Sequence, residues 1–394
     1  MAAFVGMVFI AACATSETST EKSEFVDFDA PTRASKRETL PVVAPDDFSV
    51  FAPKETTSRL NFDYTALSSM LSAVVYNLGP STRKRPADVR PNLGTRFVSG
   101  HTSPFRLEGN RITYSILDRA VFDAMTEYKD ELVAIGNQYE LSSLSKNVQL
   151  AYWLNLSNVL TIETIAKNYP VKDPKKMRLG DNGERFEDVK LVTIRGVPLS
   201  LKDIRTKIVY PHWKSPEIIY GFHRGDIGGP SIKGQAFTAE NVSRQLDSLA
   251  GEFVNSLRGV SQRRNMLEVS AIYEEARPYF FPSWPTDFRE HLRKHMRDSV
   301  LEEVNLNAEI RIADYETRVA DLAGGDTTST VAETQAFDAI FGRSFEDQNS
   351  GIPAGAARLI REVEEKMETL RIQGRLRGRV IIEDLPDRAS PLVE

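Results

Sequence analysis

The densest grouping of chemically useful side chains runs over residues 223–231 (HRGDIGGPS). Within four residues it offers a titratable imidazole in His223, a fork-shaped donor in Arg224 and a carboxylate in Asp226. Gly225, Gly228 and Gly229 permit positive φ and close backbone approach. Successive N–H groups there are expected to form an anion-binding concavity. His223 is a candidate general base, with Asp226 or an asparagine to orient it. The plainer alternative is a tight loop in which Arg224 and Asp226 pair to satisfy backbone groups. The run has no Gly-Lys-Ser/Thr ending of a Walker loop, and Ser231 has no Gly-x-Ser-x-Gly frame.

A second polar feature stands inside an apolar stretch. Residues 145–170 (SKNVQLAYWLNLSNVLTIETIAKNYP) are apolar nearly all round, the pattern of a helix buried in a large domain. Asn155 and Asn158 are three residues apart and share one face of it. A buried amide left unpaired costs roughly 1–3 kcal/mol, so something polar must meet both. Either they hold a neighbouring loop, or they join the glycine loop in a polar pocket made of Asn155, Asn158, His223, Arg224, Asp226, Gly228 and Gly229.

Other candidates are weaker. His291 and His295 have the i, i+4 spacing of metal ligands, but Leu-Arg-Lys lies between them with no HExxH glutamate. On so charged a helix they are expected to be a surface pair, and no metal or cofactor is assigned. His101 and His212 stand alone in turn-like surroundings. The single cysteine is Cys13, which excludes a disulfide framework, a cysteine metal site and a thiol nucleophile in the folded body.

The elements that would position these groups read as follows. Residues 60–78 and 118–135 carry helical periodicity, and residues 111–114 alternate as a short strand after turn signals at Gly100 and Gly109-Asn110. The central helix ends at Tyr169-Pro170. Residues 186–194 and 266–272 read as strands and 216–222 as an extended segment. Ser200 caps a helix over 200–208 with Asp203 in the box position. Thr238 caps a helix over 239–257, and residues 287–304 form a charged helix. A periodic helix over 356–372 follows a Gly-, Thr- and Ser-rich stretch at 321–355, and 379–385 is a strand or docking segment. The apolar stripe of 356–372 needs a partner, either the body itself or another chain, which leaves a scaffold role open.

The fold class expected is a mixed α/β (α+β) single main domain, helix-rich, around a buried central helix with a small sheet. The boundaries are a leader at 1–13, a flexible tether at 14–54, the main domain at 55–323 and a C-terminal helical extension at 324–394. With 394 residues, 41% of them apolar, the chain can bury one sizeable core or two. A formal charge of −5 argues against a nucleic-acid protein. No apolar run is long enough to span a membrane.

Residues 2–12 (AAFVGMVFIAA) have signal-peptide length, and Ile10-Ala11-Ala12-Cys13 resembles a bacterial lipobox. No Lys or Arg precedes the apolar stretch. Acylation of Cys13, including a palmitate-type chain, would hold the body at a bilayer, since each buried methylene contributes about 0.8 kcal/mol. Ala14 after the cysteine points to the outer membrane, facing the periplasm. The tether, rich in Ser, Thr, Glu, Asp and Pro, would hold the body off the lipid.

Residues 151–161 (AYWLNLSNVLT) resemble the central motif of the family called domain of unknown function 547. Residues 197–204 (VPLSLKDI) are similar to its Leu-Ser-Leu-x-Asp-Ile segment, 216–230 to its extended segment and loop, and 236–242 (AFTAENV) to its next helix start. The likeness spans roughly residues 97–323. Many members carry His-Phe where this chain has Ile219-Tyr220, and Ser-Cys-Pro where it has Gly228-Gly229-Pro230. The resemblance implies a mixed α/β domain without established activity. Two functions stand open. One is an envelope protein binding a ligand or partner, such as another envelope protein or peptidoglycan-like material. The other is an envelope hydrolase or transferase with His223 as base.

Overall fold

The computed structural model describes residues 25–26, 44, 46–90, 100–326 and 352–376. The architecture is mixed α/β, helix-rich with small sheets, and it is laid around one rod. That rod is α3 (Lys146–Lys167), in which every residue from Val148 to Ile165 is buried. Its all-round apolar surface explains this, since no face is left to prefer water. Trp153 lies edge-on to Phe51 at 5.1 Å and to Tyr152 at 5.0 Å. The Tyr152 hydroxyl donates to the Leu132 carbonyl at 2.8 Å.

Around α3 pack α1 (Thr65–Val74), α2 (Arg119–Gln138) and the segment α4 (Leu201–Asp203), which continues through a π-helical stretch (Ile204–Val209) into α5 (Tyr210–His212). Next come α6 (Val242–Val254), α7 (Ile272–Phe280), α8 (Thr286–His295) and α9 (Asp298–Leu301). Ser200 forms the expected capping box with Asp203, whose amide donates to Ser200 Oγ at 3.1 Å and whose carboxylate accepts from the Ser200 amide at 3.0 Å. Thr238 and Asn241 exchange hydrogen bonds in the same way, but α6 begins only at Val242, after that turn.

The sheets are several and small. β9 (Val260–Arg263) pairs antiparallel with β10 (Met266–Val269), which pairs parallel with β11 (Glu309–Ile312). Two-stranded pairs join β1 (Phe25–Val26) to β2 (Asn61–Phe62), β3 (Val75–Tyr76) to β4 (Arg111–Ile112), β5 (Arg178–Leu179) to β6 (Glu184–Arg185), and β7 (Val192–Ile194) to β8 (Val197–Leu199).

Three expectations are corrected. Pro216–Gly221 is a 3₁₀ helix, not an extended segment, with Pro216 at its start and Glu217 through Gly221 buried. The charged helix over 287–304 breaks after His295, and α9 follows. The stretch assigned to the tether already contributes to the core, since Phe51 within a 3₁₀ turn (Phe48–Phe51) is 1% exposed. The C-terminal helix α10 (Ala354–Ile372) packs back on the body, its Leu359, Ile360 and Val363 meeting Tyr76, Leu78, Leu322 and Ala323. Cys13, its leader and residues 379–385 lie outside the described residues. Among the described residues no helix is long and apolar enough to cross a membrane.

Candidate functional site

The two amides of α3 are clamps. Asn155 Nδ2 donates to the Phe237 carbonyl at 2.8 Å, and its Oδ1 accepts from the Phe237 amide at 3.0 Å. Asn158 Nδ2 donates to the Gly221 carbonyl at 3.0 Å and its Oδ1 accepts from the His223 amide at 2.9 Å. Asn158 therefore holds the entry to the glycine loop, whereas Asn155 holds the segment at Phe237, outside it. The hollow that Asn155 and Asn158 line, however, has a volume of only about 10 Å³. That is room for about one water, not for a ligand.

Three of the loop's own amide donors are spent as well. Ile227 N–H donates to Arg318 O and Gly228 N–H to Glu316 O, both at 2.8 Å. Gly229 N–H donates to Asp226 Oδ1 at 2.9 Å. The expected anion-binding concavity is therefore filled by protein, because residues 316–318 run along the loop as a strand would. Gly228 has to be glycine here, since a Cβ would stand 2.6 Å from the Glu316 carbonyl oxygen.

His223 is 3% exposed, and its Nδ1 faces the Pro230 carbonyl at 3.3 Å while Nε2 has no hydrogen-bond partner. Burial holds its pKa down at about 4, against a smaller upward pull from the Pro230 carbonyl. The ring is neutral at physiological pH but meets a carbonyl, not the orienting carboxylate a general base uses. Arg224 does not pair with Asp226. Its guanidinium grips Glu275 in a fork at 2.6 and 3.2 Å, beside Arg205, which also holds Glu275 and Glu187. Burial pushes the Glu275 and Glu187 carboxyls up, but the two guanidiniums outweigh it and hold both below their ordinary values.

Asp226 has a different role. Its Oδ1 accepts from the Tyr315 hydroxyl at 2.7 Å, and its Oδ2 has no hydrogen-bond partner. Burial raises its pKa to about 7, with Lys175 and the Tyr315 hydrogen bond pulling the other way. Tyr315 is the link to open space, because its ring forms part of the wall of a cleft of about 820 Å³. The other walls include His101, Phe105, Lys172, Asp173 and Arg318. Gly228 borders a smaller neighbouring cleft of about 230 Å³ that shares Phe105 and Tyr315.

His101, set aside as an isolated residue, belongs to this cleft. Its Nε2 faces the Asp321 carbonyl, and its buried Nδ1 has no hydrogen-bond partner. Burial, reinforced by Arg111, holds its pKa near 3. Beneath it the Asp321 carboxylate accepts from the Tyr169 hydroxyl at 3.0 Å and from the amides of Ala323 and Gly325. Burial nonetheless raises this carboxyl to about 6. No sequence signal groups these residues, because 101, 169 and the stretch 315–321 lie far apart in the chain.

His291 and His295 also require correction. They face inward on α8, not out to solvent, with His291 stacked on Tyr220 at 5.7 Å and its Nε2 2.7 Å from the Tyr220 hydroxyl. His295 Nε2 is 2.8 Å from Glu217 Oε1. Glu217, His291 and His295 each offer one ligand atom within 4.8 Å of the others.

Residues 141–254 match the family described as "Protein of unknown function, DUF547". This stretch contains α3, the 3₁₀ helix, the glycine loop and α6, so the resemblance read from the central motif holds there. No curated protein and no solved structure matches the chain.

Proposed function

We propose that this chain is a lipid-anchored protein of the bacterial cell envelope whose folded body binds a polar, peptidoglycan-like ligand in the large cleft. The observation that carries the binding role is the cleft's construction. It has about 820 Å³ of space, with Phe105 and Tyr315 in its lining, the Tyr315 ring carrying the Lys175 ammonium at 3.7 Å, and with Lys172, Arg318 and the Asp173 carboxylate beside them. Aromatic faces with mixed charges suit a ligand that carries both sugar rings and a zwitterionic peptide.

The anchor rests on the sequence, where Cys13 ends a lipobox-like run and a polar tether follows. Acyl chains on Cys13 would place the body at the outer membrane, facing the periplasm. The hydrolase alternative with His223 as base gains no support, since that ring is enclosed and lacks a carboxylate partner.

Calorimetry with soluble muropeptides tests the binding role. Wild type should bind, and Tyr315→Ala or Arg318→Ala should raise Kd at least about 10-fold, the equivalent of about 1.4 kcal/mol. Absence of binding, or binding that neither variant weakens, refutes it. Mass spectrometry of the mature N-terminus tests the anchor separately, the expected species being a diacylated or triacylated Cys13, and an intact Met1 in membrane fractions overturns it.

A further inference from the structure

Two imidazoles and a carboxylate converge where α8 crosses the 3₁₀ helix at Pro216–Gly221. His291 and His295 are one turn apart, so both rings leave the same face of α8, and Glu217 approaches from the facing element. Their three ligand atoms lie within 4.8 Å of one another, a spread that a cation at roughly 2.0–2.2 Å from each can draw together. We propose that Glu217, His291 and His295 form a binding site for a divalent transition-metal cation of the zinc class.

The surroundings support a site with an outer shell. The Tyr220 hydroxyl, itself hydrogen-bonded with Tyr273, fixes the His291 ring. Asp247, a mostly exposed carboxylate, has its Oδ1 3.7 Å from His295 Nδ1, longer than a hydrogen bond. Access is present on two sides. His295 borders a cleft of about 730 Å³, and Glu217 and Asp247 border another of about 530 Å³. A cation held here would be reachable by water, which makes three protein ligands sufficient.

One group competes for the position. The Lys294 ammonium donates to Glu217 Oε1 at 2.6 Å, yet its side chain is 61% exposed and free to swing into solvent. In the cation-free protein Lys294, His295 and the Ser215 hydroxyl satisfy Glu217, and the cation replaces Lys294. If the cluster were only an ion-pair hub, removing Lys294 would weaken it; if it is a metal site, removing Lys294 strengthens metal binding.

The test uses the untagged full chain, stripped with chelator and titrated with Co²⁺ and then Zn²⁺. The expected result is a d–d spectrum of a four- or five-coordinate Co²⁺ site saturating at one equivalent, bleached by Zn²⁺. Glu217→Gln and His295→Ala should each weaken Co²⁺ binding at least about 100-fold, beyond the 10–100-fold typical of an outer-shell change. Lys294→Met should tighten it. Because His291→Ala risks the core, circular dichroism on each variant confirms that the fold is kept. Absence of a saturable Co²⁺ spectrum overturns the proposal, as does a spectrum that Glu217→Gln and His295→Ala leave unchanged in folded protein.

Discussion

Asn158 spends both ends of one amide on the two backbone groups that set the entry to the glycine loop, Gly221 O and His223 N–H. Asn158→Leu would leave both buried and unmet, at a cost of roughly 2–4 kcal/mol. Urea denaturation should show that loss, whereas a purely ligand-contacting asparagine would leave the midpoint near wild type. Asp226 makes a prediction of opposite character. Its carboxyl titrates near 7 in the fold against 3.8 in an open chain, so the folded state binds the proton more tightly. The stability this contributes is fully present below about pH 3.8 and is lost as pH rises through about 7. Asp226→Asn keeps an acceptor for Tyr315 and Gly229 but cannot ionise. Its stability by urea denaturation should gain on wild type between about pH 5 and about pH 8, by at most roughly 3 kcal/mol. An identical offset at both values would refute the assignment.

The loop crosses α3 at close quarters. Gly225 has φ +76°, and a Cβ there would stand 2.3 Å from Ile165 Cδ1. Gly225→Ala should cost about 1–2 kcal/mol for the left-handed backbone, with the clash in addition. Ile165→Val removes the Cδ1 methyl, so the double variant should recover the clash and keep the backbone penalty. A double-mutant cycle by thermal denaturation reads this directly, and strict additivity would show that the two residues do not meet. Such contacts also mark what was legible in advance. The burial of α3 and the Ser200–Asp203 box follow from periodicity and local chemistry, which act over one or two turns. Pro216–Gly221 did not follow, because a short run buried on every side has no alternation to separate strand from helix. Neither did the inward turn of His291, whose partners Tyr220 and Glu217 lie on another element, nor the role of His101, whose cleft is assembled from distant loops.

At the scale of the whole molecule, α10 joins the end of the chain to the cleft wall. Arg106, 3% exposed, holds Glu362 through Nε at 2.7 Å and Nη2 at 3.1 Å, and Lys366 Nζ donates to Leu107 O at 2.7 Å. Arg358 donates to the His101 carbonyl, and Gly100 lies so close to Gly355 that a Cβ would stand 2.5 Å from its Cα. The loop carrying His101 and Phe105 is therefore held from behind by this helix. Leu359, Ile360, Val363 and Leu370 of its apolar stripe are covered by the body, so a partner using them would have to undock the helix, while Ile372 at its end is 77% exposed. Leu359→Ala should destabilise the protein by about 2–4 kcal/mol through the cavity it leaves. A stripe that served only another chain would show no such loss. Ending the chain at residue 351 removes Leu359, Ile360, Val363 and Leu370, each contributing about 1.5–3 kcal/mol of burial. Hydrogen exchange of the amides over residues 100–108 should then accelerate before exchange in α3 does, because the helix restrains that loop and not the central rod. Equal acceleration in both would mean that α10 stabilises the body globally and does not specifically shape the cleft.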